Sequence, residues 1–138
     1  MKHKKRNFAF WTAIMLALLL WGCKKDKVEL QKVSDLEYTV TSEERLPAEL
    51  KSLVDKKKKN PFKMTYRDGE YLYICQGYGE QPKGGYSIQV EDVYFTGNAI
   101  YFKSMLIGPL RSEPQTFAPT YPYIAVKIEY RDMTVVFD

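Results

Sequence analysis

The sequence predicts a mainly β domain, a small antiparallel β-sandwich or open barrel with one α-helix near its N-terminal side. Three observations predict it. Beyond residue 60 the apolar residues recur with a period of two, as in Ile124, Val126 and Ile128, the period of a half-buried strand. Turn pairs such as Asp68-Gly69 and Gly97-Asn98 separate these runs at hairpin spacing. A single segment, Leu46 to Val54, carries its apolar residues at helical spacing.

Taken in order, Asp35 to Val40 alternates weakly and reads as a first strand. Leu46, Leu50, Leu53 and Val54 share one helical face, and Pro47 suits a first helical turn. The basic run Lys56 to Lys59 closes that helix, either complementing its dipole or contacting anionic lipid. Phe62 to Tyr66 and Glu70 to Gln76 flank the turn at Arg67-Asp68-Gly69. Tyr86, Ile88 and Val90 alternate, and the apolar phase then shifts to Val93 and Phe95, which predicts a bulge near Glu91 and Asp92. Ala99 to Ile107 follows the Gly97-Asn98 turn. Residues 108–122 hold Pro109, Pro114, Pro119 and Pro122 and read as an irregular connection. Ile124 to Tyr130 and Met133 to Phe137, with Arg131-Asp132 as their turn, complete six or seven strands joined by hairpins.

The N-terminus points to export. Lys2, Lys4, Lys5 and Arg6 precede an apolar run from Phe8 to Trp21, the layout of a secretory signal. That run is shorter than the roughly 20 residues a membrane-spanning helix needs. It ends in Leu20-Trp21-Gly22-Cys23, which resembles the bacterial lipobox, with Trp21 bulkier than the usual residue at its place. The organisation expected is a signal peptide over 1–22, a lipidated tether over 23–34 and one domain over 35–138. Cys23 is the expected site of lipid attachment, which anchors the exported chain to a membrane of the cell envelope.

Processing changes the charge balance. The whole chain has 21 basic and 17 acidic residues; residues 1–22 take away four basic side chains and no acidic one, which leaves the mature protein formally neutral. No basic excess remains to support a nucleic-acid partner. The sole histidine, His3, departs with the signal, so no imidazole remains for a catalytic pair or a typical zinc site. Cys75 is then the one free thiol, and no intramolecular disulfide can form. No metal and no cofactor is expected.

Gly77, Gly79, Gly84 and Gly85 lie around Lys83, but phosphate-cradling loops lead from a strand into a helix and place Ser or Thr after the lysine. Here Gly follows Lys83 and a strand follows the loop, so no nucleotide is expected. Glu91, Asp92 and Glu80 offer carboxylates to an enzyme without histidine. Glu91 and Asp92 are neighbours that face opposite sides of a regular strand, and the bulge is the simpler reason for them. Cys75 ends an apolar strand and reads as a small buried hydrophobe. Of eleven tyrosines, ten fall between Tyr66 and Tyr130, where cross-strand packing uses most of them. Tyr78 and Tyr86 bracket the glycine loop and are also suited to a protein interface.

Gly77 to Val90, GYGEQPKGGYSIQV, resembles the C-terminal domain of the protease complex subunit PrcB family. Pro82, Gly84, Gly85, Tyr86 and Ser87 match the family's Pro-x-Gly-Gly-Tyr-Ser between strands. Tyr121-Pro122-Tyr123, followed by alternating Ile124, Val126 and Ile128, is similar to its closing strand. The resemblance implies a lipoprotein and a non-catalytic subunit that binds or stabilises a protein partner, with a surface protease as the candidate. The expected contact residues are Tyr78, Glu80, Gln81, Pro82, Lys83, Gly84, Gly85 and Tyr86. An alternative is a protease inhibitor presenting loop 78–87, since a Gly-rich loop between strands resembles that of the chagasin-like inhibitors. A purely structural tight turn at Gly84-Gly85 stays open beside both.

Overall fold

The computed structural model describes residues 32–114 and 116–138. The signal segment, Cys23 and the tether up to residue 31 lie outside the described residues. In chain order the elements are β1 (Ser34–Asp35), β2 (Thr39–Val40), a 3-10 turn (Glu43–Arg45), α1 (Ala48–Lys57), β3 (Pro61–Asp68), β4 (Tyr71–Tyr78), β5 (Ser87–Phe95), β6 (Ala99–Ile107), β7 (Tyr123–Glu129) and β8 (Thr134–Phe137). They form two open four-stranded sheets, a first in the order β1-β5-β6-β8 and a second in the order β2-β7-β4-β3. The mainly β sandwich with one helix is thus the observed architecture, and neither sheet closes into a barrel.

Alternation decides what each face covers. Leu72 and Ile74 of β4, Val126 and Ile128 of β7, Val93 of β5, and Ile100 and Phe102 of β6 meet between the sheets. Tyr73 and Cys75, one residue out of phase, point the other way and pack with Ala125 under Leu46, Leu50 and Val54. Leu50 and Val54 of the helical face read from sequence therefore seat α1 on the second sheet, Leu46 packs just ahead of the helix, and Leu53 is only half-buried. Helix α1 starts after Pro47, whose carbonyl accepts from Lys51 N–H at 2.9 Å. Lys56 and Lys57 fall in its last turn, where cations complement the dipole. Full burial of a side chain such as Ile74 or Phe102 contributes about 1.5–3 kcal/mol, so the intersheet layer is the larger source of stability.

The predicted bulge is present, with the β5–β6 register slipping between Val90 and Asp92. It lets Ile88 and Val90 before it and Val93 after it all reach the same core. The β3–β4 hairpin turns at Gly69-Glu70 with Gly69 at φ +60° and no positive φ at Glu70, the pattern of a type II′ turn.

Two expectations need correction. Asp35 to Val40 is not one strand: β1 pairs with β5 and β2 with β7, so the chain crosses between sheets, with Leu36 packed against the core on the way. Within β1, Ser34 lies opposite Phe95 and Asp35 opposite Tyr94. Nor do β7 and β8 form a hairpin. Strand β7 already has β4 on one side and β2 on the other, so the turn after Tyr130 carries β8 to the free edge of β6, which it joins in parallel.

Candidate interaction site at the loop end of the sandwich

Three connections meet at one end of the sandwich, namely the α1–β3 turn, the β4–β5 loop over 79–86 and the β6–β7 connection over 108–122. The loop is not a free tip. Gln81 N–H donates to Thr120 O at 2.8 Å and Thr120 N–H returns to Gln81 O at 3.0 Å, which makes an isolated antiparallel bridge. Gly84 N–H donates to Thr116 O and Thr120 Oγ1 to Lys83 O, both at 2.8 Å. Glu80 N–H donates to Lys59 O at 3.2 Å, and Tyr78 N–H to Pro122 O at 3.0 Å. The proline-rich connection, whose described residues include no helix or strand, thus satisfies the backbone of the glycine loop and the loop satisfies it in turn.

Gly85 has φ +86°, and a Cβ there would lie 2.7 Å from Pro109 Cβ. Both the backbone angle and the approach of Pro109 require glycine. Gly84 differs: its φ is not positive, and a Cβ would rest 3.6 Å from the nearest atom, Thr116 Cβ.

The expected contact residues divide by orientation. Glu80 and Pro82 are exposed, and the Glu80 carboxylate accepts from Tyr121 OH at 3.3 Å. Gln81 and Lys83 are half-buried, with Gln81 Nε2 donating to Tyr78 O at 3.3 Å. Tyr78 turns inward, its hydroxyl 2.6 Å from Ser104 Oγ on the opposite sheet. Tyr86 is half-buried in phase with Ile88 and Val90, its ring near Gly108. Glu80, Pro82 and Gly85 are thus the exposed residues of the loop, flanked by the half-buried Gln81 and Lys83, while the two tyrosines pack.

Sequence reasoning missed the second half of this surface. Phe117 is 86% exposed and Leu110 65% exposed, both on the connection stitched to the loop. The four prolines of 108–122 were the available signal, since a long connection without periodicity must borrow its hydrogen bonds from a neighbour.

Burial pushes the Cys75 thiol up to about 12, so it holds its proton at physiological pH. Glu91 lies 3.5 Å from Lys103 Nζ and Asp92 3.6 Å from Lys32 Nζ, so separate lysines balance the two acids. Among the described residues no group of three or more His, Cys, Asp and Glu is placed to hold a metal ion, and no helix is long and apolar enough to cross a membrane. Beneath α1, Tyr123 has a buried hydroxyl with no hydrogen-bond partner among the described residues. Burial first, then the negative charges of Glu43 and Asp55, push its pKa up to about 12.

The loop end is also the far end of the sandwich from Val33, next to the first described residue. Strand β5 runs from Ser87, next to the loop, to Phe95, and Val33 N–H bonds to Phe95 O. At about 3.3 Å per residue, the nine-residue strand separates the two ends by roughly 25 Å.

Searches of curated proteins and of solved structures return no match. A family model does match, and it spans the two inner strands of each sheet, β5 with β6 and β7 with most of β4, together with both stitched connections. Residues 72–129 of this chain match the family described as PrcB C-terminal, the family that Pro82, Gly84, Gly85, Tyr86 and Ser87 resemble.

Proposed function

We propose that this chain is an exported lipoprotein, cleaved after Gly22 and acylated on Cys23, that serves as a non-catalytic subunit of a protein complex with a protease as its partner. It binds through the paired connections 79–86 and 108–122. The observation that carries this reading is the mutual stitching of the two connections. A glycine loop that only turned the chain would not need a second segment to hold Glu80, Gln81, Pro82 and Lys83 in place. Preorganisation of this kind lowers the cost of ordering on binding. The distance between this surface and Lys32 supports presentation away from the tether, and the family match supports the protease-complex role.

The test replaces Glu80, Gln81 and Lys83 together with Ala and recovers partners from solubilised membranes. Association is expected to fall at least about tenfold, which corresponds to about 1.4 kcal/mol, while stability changes by about 1 kcal/mol or less. Recovery equal to wild type overturns the assignment. The recovered protease then separates two roles: a stabilising subunit lengthens its lifetime, and an inhibitor slows its turnover.

A further inference from the structure

A second surface lies between two edge strands on one side of the sandwich, β3 and β8, both outside the family match. A groove of about 540 Å³ opens there. Its floor is apolar, built by Leu72, Val135 and Phe137, and its rim carries three cations, Lys63, Arg67 and Arg131, and one acid, Asp132. These three cations rest on rings, Arg67 at 3.6 Å from the Tyr130 centroid, Arg131 at 5.0 Å from Phe95 and Lys63 at 5.9 Å from Phe137. Among the described residues none of the three has a carboxylate within salt-bridge distance.

The backbone of β3 is open in a defined phase. A two-residue turn makes Asp68 and Tyr71 a hydrogen-bonded pair, and the ladder then bonds Tyr66, Met64 and Phe62 to β4. Glu70 O and Tyr78 N–H, at the two ends of β4, both bond on the β7 side, which agrees with that phase. The N–H and C=O groups of Lys63, Thr65 and Arg67 therefore point to the free edge.

We infer that β3 accepts an extended segment of a partner protein as an added antiparallel strand, and that the segment alternates acidic and apolar residues. Its acids lie on the groove side beside Lys63 and Arg67, and its apolar residues lie beside Phe62, Met64 and Tyr66, which are only half-buried on the helix side. Main-chain bonds supply affinity in such pairing and alternate side chains supply selectivity. A second copy of this chain is the wrong occupant. Antiparallel pairing of β3 with itself about Thr65 sets Lys63 of one copy beside Arg67 of the other, and like charges directly opposite are destabilising. The same cations that guard the edge against self-association are unopposed towards an acidic strand.

The test titrates the full mature chain with a labelled peptide, Glu-Val-Glu-Thr-Glu-Val-Glu, and with its Lys counterpart. The acidic peptide is expected to bind at least about tenfold more tightly and to slow amide exchange at Lys63, Thr65 and Arg67. Thr65→Pro removes an outward N–H without touching the β3–β4 ladder, so it should abolish binding. Should that variant not fold, Lys63→Glu with Arg67→Glu carries the test and should reverse the charge preference. Equal affinity for the two peptides, no binding of the acidic one, or binding that leaves those three amides unprotected overturns the inference.

Discussion

The hydroxyls of Tyr78 and Ser104 meet 2.6 Å apart between the two sheets, at the end where the glycine loop begins. Ser104 gives its single proton to Gln76 Oε1 at 2.9 Å, so Tyr78 is the donor of the pair. Gln76 and Tyr78 belong to one sheet and Ser104 to the other, so the chain of two bonds is a polar strut across the sandwich. It sits where the apolar layer of Leu72 and Ile74 gives way to the loop.

Two tyrosines near the loop should respond oppositely to loss of their hydroxyl. Tyr78→Phe removes a satisfied hydrogen bond and should lower stability by about 0.5–1.5 kcal/mol. Tyr123→Phe removes a buried hydroxyl that has no partner, and should leave stability unchanged or raise it by up to about 1 kcal/mol. Denaturant melts of the two variants check this; equal losses would show that Tyr123 is hydrogen-bonded in solution.

The adjacent glycines should differ as well. Gly85→Ala places a Cβ 2.7 Å from Pro109 at a positive φ, and is expected to cost about 1–3 kcal/mol. Gly84→Ala meets nothing closer than 3.6 Å and should stay within about 0.5 kcal/mol of wild type. Similar melts for both would mean that the connection holding Pro109 moves aside.

These contrasts mark what the sequence carries. Period-two alternation placed the strands because one face of each meets the core, and the phase shift from Val90 to Val93 revealed the bulge for the same reason. Sheet membership was not legible. Thr134 to Phe137 reads equally well as the second arm of a hairpin, and only the occupied flanks of β7 send it to β6. The role of Tyr78 was hidden too, because alternation assigns a face but not the polar partner waiting on the opposite sheet. Phe117 escaped because a non-periodic, proline-rich segment gives no sign of where its bonds go until Gln81 and Thr120 are seen to pair.

The proposed lipid attachment rests on Leu20-Trp21-Gly22-Cys23. In cells fed a fatty-acid probe, the wild-type chain should become labelled and Cys23→Ala should not. The uncleaved signal can still hold the variant at the membrane, so labelling rather than fractionation is the measurement. Equal labelling of the two removes the anchor from the proposal.

The last prediction concerns alkaline pH and the buried thiol. Cys75 is fully buried, and burial raises its pKa to about 12 from an ordinary value of 9.0. Its folded-state pKa lies above its unfolded one, so between these values the unfolded chain has lost a proton that the folded chain keeps. The unfolded state then binds fewer protons, and stability falls as pH rises through that window. Well below pH 9 both states are protonated and the thiol contributes almost no slope. At about 1.4 kcal/mol per pKa unit the full effect is on the order of 4 kcal/mol. The difference in slope between wild type and Cys75→Ala, rather than the wild-type slope, isolates the contribution of the thiol. The variant should start less stable at pH 8, because it leaves a small cavity under α1, yet it should lose less stability between pH 8 and 11. The same burial predicts that a thiol reagent modifies Cys75 only as fast as the domain opens. Parallel pH slopes for the two proteins, or rapid modification of the folded domain, would show that the thiol reaches solvent.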